Sequence, residues 1–142
     1  MSLLPYSAFP HKTYDKLRYA DTDRQGHANN AVFSTFFETG RAEIVYNAEF
    51  PIMDDNCSFV IASMQVDYLL EIKWPGIVNI GTCITKIGNS SIRLYQQLYQ
   101  EDQCVAKAET VIVQVDNATA KSKALSENVK TKLNSWVVKK LP

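Results

Sequence analysis

Residues 21–30 bring together the side chains of this sequence that are best suited to chemistry. Asp21, Asp23, Gln25 and His27 supply two carboxylates, an amide and an imidazole, and further amides follow at the end of the stretch. A carboxylate or an imidazole can act as a general acid or base on a bound carbonyl group. A helical pattern follows at once, and a helix start presents free backbone N–H groups and a partial positive charge that suit an oxyanion. The stretch therefore predicts a catalytic loop that leads into a helix.

The same loop allows two other interpretations. Asp21, Asp23, Gln25 and Gly26 match the first, third, fifth and sixth positions of an EF-hand loop, but the twelfth position is Val32 instead of glutamate. The missing bidentate ligand argues against a calcium site. Aspartates before helices are also common turn and capping residues, and the residues of the loop taken alone favour that role for Asp23.

A long helix is predicted after the loop, because apolar or small residues recur there at a spacing of three and four. They are Phe33, Phe36, Phe37, Gly40, Ile44, Val45 and Ala48. Asn29 or Asn30 is a suitable N-cap and Pro51 closes the segment, so the helix is expected to reach about Glu49, roughly 28 Å in length. Gly40 inside it predicts close packing against a strand or a partner chain.

The remainder of the chain predicts a sheet and a short final helix. Alternating apolar residues indicate strands with a period of two, and the segments are Thr13–Tyr19, Val60–Tyr68, Ile77–Ile87, Ile92–Gln100 and Cys104–Val115. Gly88-Asn89 and Glu101-Asp102 suit hairpin turns. Such elements form an α+β domain in which an antiparallel sheet of about five strands curls around one long helix.

The C-terminal segment has a second, shorter helical stripe. Leu125, Val129, Leu133, Trp136 and Val137 recur at helical spacing. Ser126 is placed to cap this helix, and Lys139 and Lys140 would lie at its C-terminal end.

A family resemblance is carried by two segments of the chain. Residues 19–33 read YADTDRQGHANNAVF and residues 37–41 read FETGR, which resembles the signature of the 4-hydroxybenzoyl-CoA thioesterase family. A looser similarity continues through most of the chain and includes residues 86–91 and 125–129. The resemblance implies the hot-dog fold and acyl-CoA thioesterase activity, which releases a carboxylic acid and free coenzyme A. The resemblance also favours a catalytic role for Asp23 over the turn or capping role that the loop residues alone favour.

The resemblance implies roles for four residues of the loop. Asp23 is the expected catalytic carboxylate, either as general base on water or as nucleophile through a mixed anhydride. The backbone N–H of Asn30 is expected to polarise the thioester carbonyl. His27 either hydrogen-bonds the thioester oxygen or holds the loop. Gln25 stands where plant acyl-carrier-protein thioesterases have asparagine, and it either orients water or is an exposed turn amide.

Two further sets of side chains are assigned from the same resemblance. Coenzyme A phosphates are expected to contact residues near a strand turn, and the candidates are Lys86, Ser90, Ser91, Arg93 and Lys107. Phe33, Met64, Tyr68 and Tyr95 either line an acyl pocket or form plain core. Glu38 is the rival catalytic carboxylate, because a second branch of hot-dog thioesterases draws this group from the helix. A structural pairing of Glu38 with Arg41 is the alternative that the spacing favours.

Composition sets the remaining expectations. The chain has 142 residues, 46% of them hydrophobic, which suits one domain over residues 1–142. Fifteen basic and fifteen acidic residues leave no net charge, so neither a nucleic-acid nor a membrane partner is expected. Three widely spaced cysteines predict neither a disulfide framework nor a metal site, and no signal peptide is recognisable, so we expect a cytoplasmic protein.

The expected partner is the acyl-CoA substrate itself. Coenzyme A is part of that substrate, so no separate cofactor and no metal are expected. The resemblance implies a homodimer or homotetramer with active sites between chains. A non-catalytic acyl-CoA-binding or assembly subunit of the same fold and an acyl-carrier-protein thioesterase are the alternative functions.

Overall fold

A 16-residue helix, α1 (Asn30–Val45), lies against the sheet along one buried face. The computed structural model describes residues 3–47, 49 and 52–138. The buried side chains of α1 are those of the apolar stripe together with one arginine, and they are Phe33, Phe36, Phe37, Arg41, Ile44 and Val45. The prediction of an amphipathic helix directly after the loop is confirmed.

Helix α1 ends earlier than its apolar pattern predicts. The last residue is Val45 instead of about Glu49, although the Tyr46 amide still donates to the Ala42 carbonyl at 2.8 Å. The Asn47 side-chain oxygen accepts a hydrogen bond from the Glu49 amide at 3.0 Å. Such a local side-chain bond offers the backbone an alternative to the helical bond, which ends the helix. Ala48 and Pro51, on which the longer helix partly depended, lie outside the described residues.

Five strands form one antiparallel sheet in the order β1-β3-β4-β5-β2. The strands are β1 (His11–Lys16), β2 (Cys57–Tyr68), β3 (Ile77–Ile87), β4 (Ser91–Gln100) and β5 (Gln103–Asp116). β1 and β2 are the two edges, and β3 to β5 follow one another as a meander. The predicted α+β class and five-stranded antiparallel sheet are confirmed.

Most of the strand predictions differ from the structure at their ends. β3 has the predicted bounds, whereas β1 is shifted towards the N-terminus because Tyr19–Asp21 forms a 3-10 turn. The hairpin between β4 and β5 turns at Glu101 and Asp102, with φ angles of 50° and 66°. A pair of residues with positive φ is what a tight two-residue hairpin requires.

Helix α1 packs closely on the sheet at Gly40. A Cβ built on Gly40 would lie 2.6 Å from Thr82 Oγ1 and 2.7 Å from Gln96 Nε2. The Gln96 amide donates to the Phe37 carbonyl and to Thr82 Oγ1, both at 2.9 Å. Close packing of Gly40 against strands is therefore confirmed, and it sets the position of α1 on β3 and β4.

The opposite face of β3 and β4 is covered by the N-terminal segment. Leu4 and Phe9 form a buried cluster with Cys83, Tyr95 and Tyr99. A second helix, α2 (Glu127–Leu133), begins at the predicted cap, because the Ser126 hydroxyl accepts from the Val129 amide at 3.2 Å.

Helix α2 is shorter than the stripe that predicts it, because a 3-10 turn over Asn134–Trp136 follows it. Lys139 and Lys140 lie outside the described residues.

Candidate active site

Asp21 anchors the loop that precedes α1. Its side chain is only 6% exposed and accepts hydrogen bonds from the Arg18 backbone N, Nε and Nη2 at 2.9, 3.3 and 2.9 Å. Burial disfavours the charged carboxylate, but these hydrogen bonds and the charge of Arg18 outweigh it, so the pKa of Asp21 lies below its usual value. The Asp21 carbonyl also accepts from the Asn29 amide at 2.9 Å. Asp21 is thus committed to holding the loop.

Asp23 lies in an exposed turn, and only one of its two carboxylate oxygens accepts hydrogen bonds from the loop. Its Oδ1 accepts from the Gln25 and His27 amides at 2.8 and 3.3 Å, and its own amide donates to the His27 carbonyl at 2.8 Å. Gly26 has a φ of 78°, which permits the tight turn. Oδ2 has no hydrogen-bond donor among the described residues. One oxygen therefore shapes the loop while the other is free for a ligand.

A segment from a distant part of the chain braces this loop. The Ala28 amide donates to the Ile72 carbonyl at 2.8 Å, and the Trp74 amide donates to the Gly26 carbonyl at 3.2 Å. Ile72 is fully buried, which ties the brace to the core. Between these two bonds, His27 Nε2 lies 3.2 Å from Glu71 Oε2.

The start of α1 completes the site. Asn29 is the N-cap, and its side-chain oxygen accepts from the Ala31 amide at 3.1 Å. Its own amide is taken by Asp21, and the Val32 amide returns to the Asn29 carbonyl at 2.9 Å. No acceptor for the Asn30 amide exists within the described part of the chain. This N–H group is available to an oxyanion, as the first amides of a helix often are.

Asp23, His27 and Asn30 line one open cavity of about 250 Å³. The other lining residues are Ala28, Phe33, Tyr68, Leu69, Leu70 and Glu71. The rings of Phe33 and Tyr68 meet edge to face with centroids 5.1 Å apart. Asp23, His27 and the residue with the free helix N–H thus line the same cavity, beside apolar side chains able to hold an acyl group.

Other predicted residues lie away from this cavity. Gln25 is exposed in the turn and is not part of the lining. Lys86, Ser90, Ser91 and Arg93 lie at the hairpin between β3 and β4, whereas the cavity adjoins the far end of the sheet.

Leu98 packs in the same core cluster as Phe33 of the cavity lining, and it lies seven positions along β4 from Ser91, roughly 23 Å at strand spacing. A single chain therefore does not bring the residues of this hairpin to Asp23. Tyr95 lies in the cluster on the opposite face of the sheet, so it is core and not part of this cavity.

The expected pairing of Glu38 with Arg41 is not present as an ion pair, since no contact between these two described side chains lies within 4.0 Å. Arg41 is 6% exposed, and its Nη1 makes a long 3.5 Å bond to Gln96 Oε1. Burial lowers the pKa of Arg41, while the charge of the nearby Glu38 opposes this shift. Both residues line a separate cavity of about 160 Å³ near the end of α1.

Glu71, Leu69 and Leu70 are site residues that the sequence pattern did not predict. They follow β2 by one to three positions and carry no spacing motif. Backbone bonds over a long sequence separation hold them in place. The Leu69 and Leu70 amides donate to the Val105 carbonyl in β5 at 2.9 and 3.0 Å, and the following residues 72 and 74 bond to the loop.

Residues 3–47, 49 and 52–138 hold neither a metal-binding cluster nor a membrane-spanning helix. No group of three or more histidine, cysteine, aspartate or glutamate side chains there could hold a metal ion. No helix in the same ranges has the length and apolar character needed to cross a membrane.

The chain is similar to thioesterases in sequence. The family model of the thioesterase-like superfamily matches residues 17–133. The acyl-CoA thioester hydrolase YbgC of Escherichia coli O6:H1 is 27% identical over 118 residues, which are 80% of this chain and 88% of that protein.

Two solved structures share the fold. A predicted thioesterase from Bacillus stearothermophilus has a TM-score of 0.79 and 30% identity, over 89% of this chain and 95% of its own. A thioesterase from Thermus thermophilus, complexed with coenzyme A and Zn, has a TM-score of 0.79 and 27% identity over 91% and 95%. The expected hot-dog fold is confirmed by these likenesses.

Proposed function

The chain belongs to the thioesterase-like superfamily, and from this membership and the geometry of its loop we propose that it hydrolyses acyl-CoA thioesters to a carboxylic acid and free coenzyme A. One observation carries the proposal: Asp23, His27 and the first residue of α1 line a single cavity. The E. coli relative is named an acyl-CoA thioester hydrolase, and the T. thermophilus structure contains coenzyme A, which supports the same substrate class.

Asp23 is the catalytic carboxylate in this proposal. Its Oδ2 either takes a proton from water, which then attacks the thioester carbon, or attacks that carbon itself to give a mixed anhydride that water cleaves. In both routes the C–S bond breaks and the departing thiolate takes up a proton. The Asn30 amide donates to the carbonyl oxygen as negative charge develops on it.

Substitution of Asp23 by asparagine tests the proposal. Asp23→Asn keeps Oδ1, which the Gln25 and His27 amides need, but removes the ionisable group. We expect thiol release from a panel of aromatic, short-chain and long-chain acyl-CoA esters to fall by about 100-fold or more. Asp55→Asn, at an exposed aspartate ahead of β2, is the matched control and should leave the rate unchanged.

Other outcomes of the same assay point to the alternatives. An active Asp23→Asn variant would move the catalytic assignment to Glu38, which Glu38→Gln then tests. Native protein that releases no thiol from any ester would favour a non-catalytic acyl-CoA-binding or assembly subunit, unless acyl-carrier-protein esters are cleaved instead.

We also propose a homodimer, or a homotetramer built from two dimers, with each site between chains. β2 is an edge strand, and Val60, Ile61 and Tyr68 on it are 47%, 52% and 50% exposed. Antiparallel pairing of two β2 edges would set the Tyr68 end of one chain against the Cys57 end of its partner. The hairpin with Ser90, Ser91, Lys86 and Arg93 would then approach the partner's cavity, which supports its role in binding coenzyme A.

A cytoplasmic location is proposed from the thiols. Cys57, Cys83 and Cys104 are all free cysteines in the described chain. Free thiols, two of them buried, suit a reducing compartment.

A further inference from the structure

His27 forms a close contact with a charged neighbour, Glu71. Its Nε2 lies 3.2 Å from Glu71 Oε2, and both residues line the cavity that contains Asp23 and Asn30. The imidazole side chain is 24% exposed and the carboxylate side chain 61% exposed. The two atoms lie within ion-pair distance, where a proton on Nε2 is favoured over a lone pair.

The backbone fixes both partners of this contact. The His27 amide and carbonyl are bound by Asp23, and residues 26 and 28 on either side are bound to residues 74 and 72. Glu71 directly precedes buried Ile72, which supplies one of these bonds. The pair is therefore held from two parts of the chain, and only the two side chains remain to be oriented.

We propose that Glu71 is a positioning residue for His27: its carboxylate holds the imidazole with Nε2 protonated, which leaves Nδ1 as the ring atom available to water. This inference rests on the proposed function. In the neutral ring, Nδ1 accepts a hydrogen bond from the attacking water. Donation to the thioester oxygen then falls to the Asn30 amide, while Asp23 takes the proton.

The chain contains a matched control for this pair. His11, the other histidine of the sequence, places its Nε2 3.2 Å from Glu43 Oε1, and this pair joins β1 to α1 away from the cavity. Glu71→Ala and Glu43→Ala therefore each remove a carboxylate that lies 3.2 Å from a histidine Nε2, at the candidate site and outside it, although only the His11 pair also has hydrogen-bond geometry. Glu71→Gln keeps an oxygen acceptor without the charge.

Ring ¹⁵N chemical shifts of the full-length labelled protein at pH 9, where an ordinary imidazole is neutral, give the first readout. We expect His27 to have protonated Nε2 and unprotonated Nδ1. In Glu71→Ala, its shifts should move towards those of a free imidazole while those of His11 stay unchanged. Glu43→Ala should move only His11. Native-like His27 shifts in Glu71→Ala would overturn the proposal.

Steady-state thiol release gives the second readout. We expect Glu71→Ala to lower kcat by about 10-fold with little change in KM, because the orientation of a catalytic group is lost while substrate contacts remain. Glu71→Gln should restore most of kcat, and Glu43→Ala should match native protein. Equal losses in Glu71→Gln and Glu71→Ala would overturn a positioning role and indicate that the Glu71 charge itself is used.

The two readouts separate this inference from the proposed function. If native protein cleaves no thioester, the proposed function is wrong, but the ¹⁵N shifts still test whether Glu71 orients His27. If the enzyme is active but Glu71→Ala changes neither the His27 shifts nor kcat, the proposed function stands and the positioning role of Glu71 is wrong.

Discussion

Asp21 and Asp23 are two residues apart, yet their carboxylates have opposite surroundings. Asp21 is buried and accepts three hydrogen bonds from Arg18, whereas Asp23 is exposed and keeps Oδ2 free of donors within the described chain. The hydrogen bonds from Arg18 hold the loop and lower the pKa of Asp21, which makes its carboxylate a weaker base towards water. The structural interpretation of an aspartate in this loop therefore applies to Asp21, while Asp23 is the one available for chemistry.

Asparagine at position 21 should damage the fold more than the chemistry. Asp21→Asn removes the negative charge and one acceptor from the Arg18 cluster, so we expect the free energy of unfolding to fall by about 1 kcal/mol. Urea unfolding at pH 7 measures this change. Asp23→Asn should leave stability within about 0.5 kcal/mol of native, as an exposed substitution does. The reverse ranking of the two variants would contradict the assignment.

Residues close in sequence were predictable as a site, whereas Tyr68 was the one candidate among the distant residues that line the cavity. Asp23, His27 and Asn30 lie in one turn and at one helix start, so their spacing alone brings them to the same cavity. Glu71 reaches His27 only because residues 72 and 74 bond to the loop, which no local pattern encodes. Helical spacing likewise placed Glu38 near Arg41, but Arg41 is buried and bonds to Gln96, and no ion pair forms between Glu38 and Arg41, both of which the structure describes.

At the scale of elements, Asp54 joins three parts of the fold. Its Oδ2 accepts from the Ser126 amide at 3.0 Å and from Gln114 Nε2 at 2.9 Å, and its own amide donates to Gln114 Oε1 at 3.0 Å. Gln114 is fully buried in β5, and Ser126 is the cap of α2. The segment after α1 is thereby fixed to the last strand and to the start of the last helix.

Stability should depend on the charge of Asp54 at acidic pH. Burial disfavours its ionisation, but hydrogen bonds from Ser126 and Gln114 and the charge of Lys123 outweigh it, so its pKa is lowered. A lowered folded-state pKa means that the stabilisation is complete above the ordinary value near pH 4 and is lost as pH falls through the folded-state pKa. Asp54→Asn should therefore be less stable than native at pH 7 by about 1 kcal/mol, and less sensitive to acid.

Urea unfolding at pH 7 and pH 3 measures both parts of this prediction. Asp55→Asn, at the exposed neighbour, is the control and should follow the native curve at both values. An Asp54→Asn variant that loses as much stability as native protein between the two pH values would show that this carboxylate does not carry the effect.

Sequence periodicity predicted which segments are helices and strands, but individual side-chain hydrogen bonds determine where several of them end. Alternation placed β3 at its observed bounds, and the three-four spacing placed α1. The end of α1 depends on a hydrogen bond from Glu49 to the Asn47 side chain, and the 3-10 turn after β1 is closed by Asp21 on Arg18. Such local polar contacts compete with helix and strand backbone bonds, and a hydrophobic pattern does not register them.

At the scale of the whole molecule, the two edges of the sheet differ. β1 is a short edge of six residues with Tyr14 65% exposed, whereas β2 is twelve residues long and carries the exposed Val60, Ile61 and Tyr68. A long apolar edge with unpaired backbone groups favours pairing with another chain. Tyr68 also lines the candidate site, so pairing at β2 would act on the site directly.

Ile61→Lys should dissociate the proposed dimer, and thiol release should fall as the dimer dissociates. Ile61→Lys places a charge on the β2 edge, while Tyr14→Lys makes the same type of change on β1 and serves as the control. We expect native protein and Tyr14→Lys to sediment at twice the 16.0 kDa chain mass or more, and Ile61→Lys to shift to the monomer. If each site needs a partner chain, thiol release by Ile61→Lys should fall with its dimer fraction and recover at higher protein concentration. A native monomer with full activity at all concentrations would show that one chain holds the complete site.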